Sequence, residues 1–188
     1  IDYIASGSIK KIDAKVARDL VIKDVSFNFI IENKLALINS IKGSYAGVTV
    51  SNGFIYIKKE KEIKIKGKFK SDFSLKEDQL NTLFTNVKFL KDNKIEMQGS
   101  LLHNFDLKIN NNFKIIDYNY KSSGEIAQAQ VNLKNGYKNN FIEKKIKKIF
   151  FKKNKLEIIF NQQNKNLLLF DGLYSFNESN YKIIKVKY

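Results

Sequence analysis

The sequence predicts a mostly β protein built as a long antiparallel meander. Apolar and polar residues alternate along most of the chain, short polar turns separate the alternating segments, and the 188 residues include no proline. Alternation with a period of two places one side of a strand against apolar neighbours and the other side in water. Proline interrupts strand ladders, so its absence permits long pairing. Because the connections are short, we expect roughly a dozen antiparallel strands.

The clearest strand covers residues 63–70, with the sequence I-K-I-K-G-K-F-K. Ile63, Ile65 and Phe69 occupy one side, and lysines occupy every position of the other side. A helix would distribute these lysines around its whole circumference. Residues 59–62, K-E-K-E, form a short charged turn before it. The segment is therefore predicted to be the second strand of a hairpin with one solvated face.

The first strand of this hairpin is predicted over 48–58. Its apolar residues are Val48, Val50, Phe54 and Tyr56, which we place on one face. Further strands are predicted over 6–16, 21–31, 35–45, 95–101, 105–109, 113–121, 124–133, 156–160, 167–176 and 181–188. The apolar face predicted in this way contains Val25, Phe27, Phe29, Ile31, Val48, Val50, Phe54, Ile63, Ile65, Phe69, Ile95, Met97, Leu101, Phe105, Leu107 and Ile109.

One short helix is predicted at about 75–85. Ser74 and Glu77 have the spacing of a capping box, and Leu80 and Leu83 continue an apolar stripe that begins at Leu75. Because the helix has an apolar side, we expect it to pack on the sheet or to close one end of it.

The segment 138–155 allows two interpretations. As a helix it would be basic and amphipathic, a surface typical of helices that lie on anionic membranes. As a strand, 145–151 would be a sheet edge protected by lysines. We favour the strand, because Asn154 would then provide a hairpin turn into the strand that begins at Leu156.

A weak motif recurs in the predicted strands. It consists of an apolar residue, a polar residue, glycine, any residue and an apolar residue, and it occurs at 41–45, 65–69, 97–101 and 170–174. A glycine inside a strand marks a bend, a bulge or the close approach of another backbone. The repeated motif therefore predicts a sheet that curls along a line.

The residues that usually carry catalysis or bind metals are scarce. The chain has no cysteine, and its one histidine, His103, is expected in a surface loop. We therefore expect no catalytic site, no metal site, no cofactor and no enzymatic activity. The net charge is +15, but only Arg18 is an arginine. Lysine lacks the planar fork that recognises phosphates and guanines in two-point contacts, so we expect no specific nucleic-acid partner.

The ends of the chain suggest a segment of a longer protein. The sequence begins at Ile1, and no apolar run approaches the roughly 20 residues that a spanning helix needs. We expect residues 1–188 to form a single β-rich domain, with any membrane anchor outside this chain.

The pattern resembles the AsmA-like family, the bacterial envelope lipid-transport proteins of the TamB and YhdP type. The resemblance rests on residues 41–69, residues 95–109 and the stretch Phe170-Asp171-Gly172-Leu173-Tyr174. It implies a curled, groove-like sheet resembling an open barrel, whose apolar face lines a groove for phospholipid or other acyl chains. It also implies a periplasmic, inner-membrane-anchored location in the envelope of a Gram-negative bacterium, with membrane proteins of the envelope as further partners.

A closed β-sandwich with a structural or adhesive role is the alternative. A sandwich also hides one face of each strand, so alternation alone does not separate the two architectures. A sandwich seals its apolar faces against each other, whereas a groove leaves an apolar strip open to solvent.

Overall fold

The computed structural model describes residues 3–17, 20–84, 87–138, 145–163, 165–176 and 178–188. Ten antiparallel strands form one sheet in which each strand pairs with the next along the chain, so β1 and β10 are the two edges and the sheet is not closed. The predicted curled antiparallel meander is therefore confirmed. The strands are β1 Ile4–Ala17, β2 Leu20–Glu32, β3 Leu35–Tyr45, β4 Val48–Lys59, β5 Ile63–Leu75, β6 Asn93–Ile109, β7 Ile115–Tyr137, β8 Ile146–Asn161, β9 Leu167–Ser175 and β10 Lys182–Lys187.

The strands are fewer and longer than predicted, because β6, β7 and β8 continue through positions that were predicted to be loops or turns. His103 lies inside β6 and Asn154 inside β8, where both side chains are buried. The predicted loop at His103 and hairpin turn at Asn154 are therefore wrong. Each polar side chain has a hydrogen-bond partner within the sheet, which removes the need to end the strand there.

A line of β-bulges crosses strands β1 to β4. Lys11, Asp24, Ser40 and Asn52 all have positive φ angles, and each lies where the pairing register shifts. A bulge inserts an extra residue into one strand, bends it and increases its local twist. Because the bulges lie in adjacent strands, they bend this half of the sheet along a common line.

Two short helices connect β5 to β6. The first, α1 Glu77–Leu83, lies within the predicted range 75–85, and the second, α2 Lys88–Asp92, was not predicted. The predicted cap at Ser74 is wrong, because Ser74 still belongs to β5. The helix begins after Lys76, whose backbone N–H donates to Gln79 Oε1 at 2.7 Å.

The helices cover one end of the sheet and form its small core. Leu80 of α1 packs with Leu75, Ile95 and Val131, which belong to β5, β6 and β7. Although 43% of the chain is hydrophobic, these four residues and Phe150 are the only hydrophobic side chains buried among those described. Most of the apolar surface of the sheet therefore has no second layer of secondary structure above it.

The segment 138–155 is only partly described, since residues 139–144 lie outside the described ranges. From Ile146 onward it is the strand β8, as favoured. The expectation that this strand forms a sheet edge is wrong, because β8 lies between β7 and β9.

Candidate functional site

Strand pairing gathers the apolar residues into rows that cross the sheet. Residues directly opposite each other in neighbouring antiparallel strands project from the same face. One row from β1 to β8 contains Gly7, Phe29, Ile38, Ile55, Gly67, Phe105, Tyr120 and Phe160. The next row, from β1 to β7, contains Ala5, Ile31, Ala36, Ile57, Ile65, Leu107 and Tyr118. We call the side of the sheet that carries these rows the apolar face, and the opposite side the polar face.

All of the predicted lining residues except Phe54 lie on the apolar face. The bulge at Asn52 shifts the register of β4, so Phe54 pairs with Lys68 and Tyr56 pairs with Lys66, in the lysine series. The prediction that Phe54 and Tyr56 share a face with Val48 and Val50 is therefore wrong. Because successive side chains point to opposite faces, one inserted residue moves every later side chain of the strand to the other face.

The repeated strand glycines provide room for aromatic rings. A Cβ atom added at Gly67 would overlap the ring of Phe105, and one added at Gly7 would lie 2.8 Å from Cζ of Phe29. In both pairs the glycine and the aromatic residue are direct cross-strand partners. The glycines therefore let large rings lie flat along the apolar face. The hydrogen-bond ladder between the strands continues past each glycine without interruption.

An apolar cleft of about 350 Å³ lies on this face between β2 and α1. Its walls are formed by residues of β2, β3, β4, β5 and β6, and Leu83 of α1 closes one side. Phe54 and Lys68 also border it. The principal apolar lining residues are Ile22, Val25, Val50, Phe69, Leu83 and Phe105.

An aromatic series continues from this cleft toward β8. The ring centroids of Phe69 and His103 are 4.4 Å apart, those of His103 and Tyr120 are 6.0 Å apart, and those of Tyr120 and Phe160 are 6.4 Å apart. Phe160 at the end of the series is 48% exposed. The apolar face thus presents a row of aromatic rings over several strands, from the cleft beside α1 to the exposed Phe160 on β8.

A polar network interrupts the apolar face at His103. Its Nε2 lies 2.7 Å from Ser71 Oγ, and its Nδ1 lies 2.7 Å from Tyr120 Oη. His103 is 9% exposed and Ser71 is 4% exposed, so the predicted position of His103 in a surface loop is wrong. Burial lowers the pKa of His103 below 6.5, which favours the neutral ring that donates from one nitrogen and accepts at the other.

The sequence contained a signal for this network. His103 is in phase with Leu101 and Phe105, so alternation alone places it on the apolar face. The polar character of the residue led to a loop assignment, whereas its partners come from the adjacent strands β5 and β7. Those partners cannot be identified without the strand register.

On the polar face, carboxylates compensate many of the lysines. Glu60 accepts hydrogen bonds from Lys58 and Lys64, and these bonds lower the pKa of Glu60 to about 2. Lys66 pairs with Asp106 at 3.0 Å. Other ion pairs on the described strands join Lys70 to Asp72, Lys108 to Asp117, Lys121 to Glu157 and Lys185 to Asp171. The lysine rows are therefore partly neutralised within the sheet itself.

The described residues contain no candidate metal site and no candidate membrane-spanning helix. In that part of the chain, no three histidine, cysteine, aspartate or glutamate side chains are grouped to hold a metal ion. No helix there has both the length and the apolar character needed to cross a membrane. Comparisons with protein-family models, with curated proteins and with solved structures found no match.

Proposed function

We propose that the chain is a non-enzymatic lipid-binding element that holds acyl chains against the apolar face. The observation that carries this proposal is the open apolar cleft beside α1, which continues into a partly exposed aromatic series. A soluble protein rarely leaves a large contiguous apolar surface exposed unless that surface binds something. Because the ten strands form one sheet that is not closed, the alternative of a sealed β-sandwich is disfavoured.

An acyl chain suits this surface chemically. It has no polar groups and no fixed shape, so a continuous wall of aliphatic and aromatic side chains is sufficient to bind it. Each methylene group removed from water stabilises the complex by about 0.8 kcal/mol. The cleft volume of about 350 Å³ is at the lower end of the range for small-molecule sites, about 300–1,000 Å³.

The buried Ser–His pair does not favour catalysis on this face. A nucleophile must reach its substrate, and Ser71 and His103 are almost fully covered by neighbouring side chains. Their hydrogen bonds instead satisfy polar groups that would otherwise lie unpaired within an apolar surface. We therefore assign the network a structural role in the wall.

Membership of the AsmA-like family, transport of phospholipid and location in the envelope of a Gram-negative bacterium belong to the same proposal. They rest on the resemblance of the strand pattern and on the fit between an open apolar sheet and an acyl chain. Membrane proteins of the envelope would then be the neighbours that deliver or receive the lipid.

Native mass spectrometry of the purified chain tests the proposal. We expect co-purified lipid, or uptake of a fluorescent palmitate analogue that is competed by unlabelled palmitate. The dye signal should require folded protein and should disappear in denaturant. Recovery of folded protein that neither carries lipid nor takes up the analogue would contradict lipid binding.

A further inference from the structure

A second cleft lies on the polar face, on the side of the sheet opposite the acyl-chain surface. Its volume is about 350 Å³, and it lies over strands β6 to β8. We call it the amide cleft and define it by Glu96, Gln98, Gln128, Gln130, Lys152 and Tyr181, which all line it.

Two cross-strand rows form the floor of the amide cleft. Gln98 lies directly opposite Gln128, and Glu96 lies directly opposite Gln130. Phe150, the direct partner of Gln130 on β8, is buried at the base. The floor therefore combines four closely spaced planar polar groups with the edge of one aromatic ring.

Tyr181 forms a side wall above this floor. Lys152 Nζ lies 4.6 Å from the centroid of the Tyr181 ring, a cation–π contact that holds the ring beside the cleft. The Tyr181 hydroxyl is shielded from solvent and has no hydrogen-bond partner among the described residues. Because a ligand cannot reach this shielded oxygen, the ring of Tyr181, and not its hydroxyl, is the part that lines the cleft.

The formal charges around the amide cleft cancel. Lys76 and Lys152 line it together with Glu96 and Glu178, in a chain whose net charge is +15. An anionic ligand would find more favourable surfaces elsewhere on this protein. The local balance favours a ligand without net charge.

Amide side chains complement hydroxyl groups, because both can donate and accept hydrogen bonds. A sugar ring presents several hydroxyls around its edge and apolar C–H groups on its faces, and it carries no charge unless it is modified. The floor of the amide cleft offers amides for the hydroxyls, and the ring of Tyr181 at its side offers an apolar surface for the C–H groups. We propose that the amide cleft binds a neutral saccharide of one or two rings.

Saturation-transfer NMR tests this proposal with glucose, galactose, mannose, N-acetylglucosamine, maltose, lactose and cellobiose as probes. We expect transfer from the protein to at least one of them. Glucuronate, which has the size of glucose and one negative charge, should bind at least about tenfold more weakly than the best neutral probe.

Two variants locate the site. Gln128→Leu keeps the size of an exposed side chain and removes its hydrogen bonds, and it should weaken binding about tenfold. Tyr181→Ala removes the ring that forms the side wall and should weaken binding several-fold. Gln162→Leu, an exposed glutamine in the β8–β9 turn, is the matched control and should leave binding unchanged.

Three results would overturn the saccharide site: no transfer to any neutral probe, equal binding of glucuronate, or unchanged binding in both cleft variants. If Gln128→Leu does not fold, Tyr181→Ala alone decides the location. Because the amide cleft lies opposite the apolar face, Gln128→Leu should leave palmitate uptake intact. Failure of the saccharide site is thus distinguishable from failure of the lipid proposal.

Discussion

The ring of Phe105 lies across Gly67 on the neighbouring strand, in the space that a Cβ atom at residue 67 would occupy. The two residues are direct cross-strand partners in the ladder between β5 and β6. This contact explains why a glycine occurs among the isoleucines of a strand that otherwise alternates regularly. It also makes the apolar face sensitive to a single added methyl group.

Gly67→Ala should therefore destabilise the protein by about 1–3 kcal/mol, because the Phe105 ring has to move out of its position. Urea unfolding measures the loss. Gly43→Ala is the control, since its new Cβ would lie 3.1 Å from Ile22 Cγ2, a tight contact but not an overlap, and its cost should be smaller. Combining Gly67→Ala with Phe105→Leu should show coupling of at least about 0.5 kcal/mol. Simple additivity of the two changes would contradict the proposed overlap.

Val50→Glu should block acyl-chain binding while leaving the fold intact. Val50 lines the apolar cleft and is only half-buried, so the new carboxylate can reach water. We expect palmitate uptake to fall at least about tenfold and stability to fall by less than about 2 kcal/mol. The measurements are dye titration and thermal unfolding.

Ser51→Glu is the matched control for Val50→Glu. It introduces the same charge one residue away, on the polar face and directly opposite Lys70. Both uptake and stability should stay near the values of the unmodified chain. An unfolded Val50→Glu protein would indicate a sealed face, and undiminished uptake would place the acyl chain elsewhere.

Stability should fall as the pH drops through about 6.5, because His103 has a lowered pKa in the folded protein. Between the folded pKa and the unfolded pKa, the unfolded chain binds more protons, so acid favours unfolding. Urea midpoints at about pH 7.5 and about pH 5.5 measure the difference. The pKa of Glu60 is about 2, so that carboxylate stays ionised across this window.

His103→Gln should remove most of this pH dependence, because glutamine does not titrate. It can still form hydrogen bonds with Ser71 and Tyr120, so the fold should persist at neutral pH. An unchanged dependence on pH in His103→Gln would show that another group is responsible.

Asn154→Asp should convert a buried neutral side chain into one that titrates. Asn154 is fully buried, and its Nδ2 donates to the carbonyl of Ile126 at 3.4 Å. We expect near-normal stability at about pH 4 and a loss of about 2–4 kcal/mol at about pH 8, where the carboxylate must ionise without solvent. Chemical unfolding at both pH values measures this loss of stability.

Asn166→Asp is the control for Asn154→Asp. Asn166 is exposed, and its Oδ1 accepts from the backbone N–H of Asn161, which a carboxylate can also do. Relative to the unmodified chain at the same pH, its stability should change little above about pH 5. If the stabilities of the two variants depended equally on pH, the side chain at position 154 would have access to water.

Alternation predicted the faces of most strands correctly because it depends only on the local period. Ile63, Ile65 and Phe69 lie on the apolar face, as their spacing from the lysines required. Phe54 was placed wrongly because the bulge at Asn52 inserts a residue. Asn52 has a positive φ angle, which asparagine adopts more readily than most residues, so the pair Asn52-Gly53 was a local sign of a break that alternation by itself does not use.

The sequence by itself determined the β class, the antiparallel meander, the position of one helix and the composition of the apolar face. Each follows from spacing between residues that are close along the chain. The tertiary structure alone decided the line of bulges, the Ser71–His103–Tyr120 network, the interior position of β8 and the two clefts. These depend on which residues of distant segments lie opposite each other, and that register is set by the packing of the whole sheet.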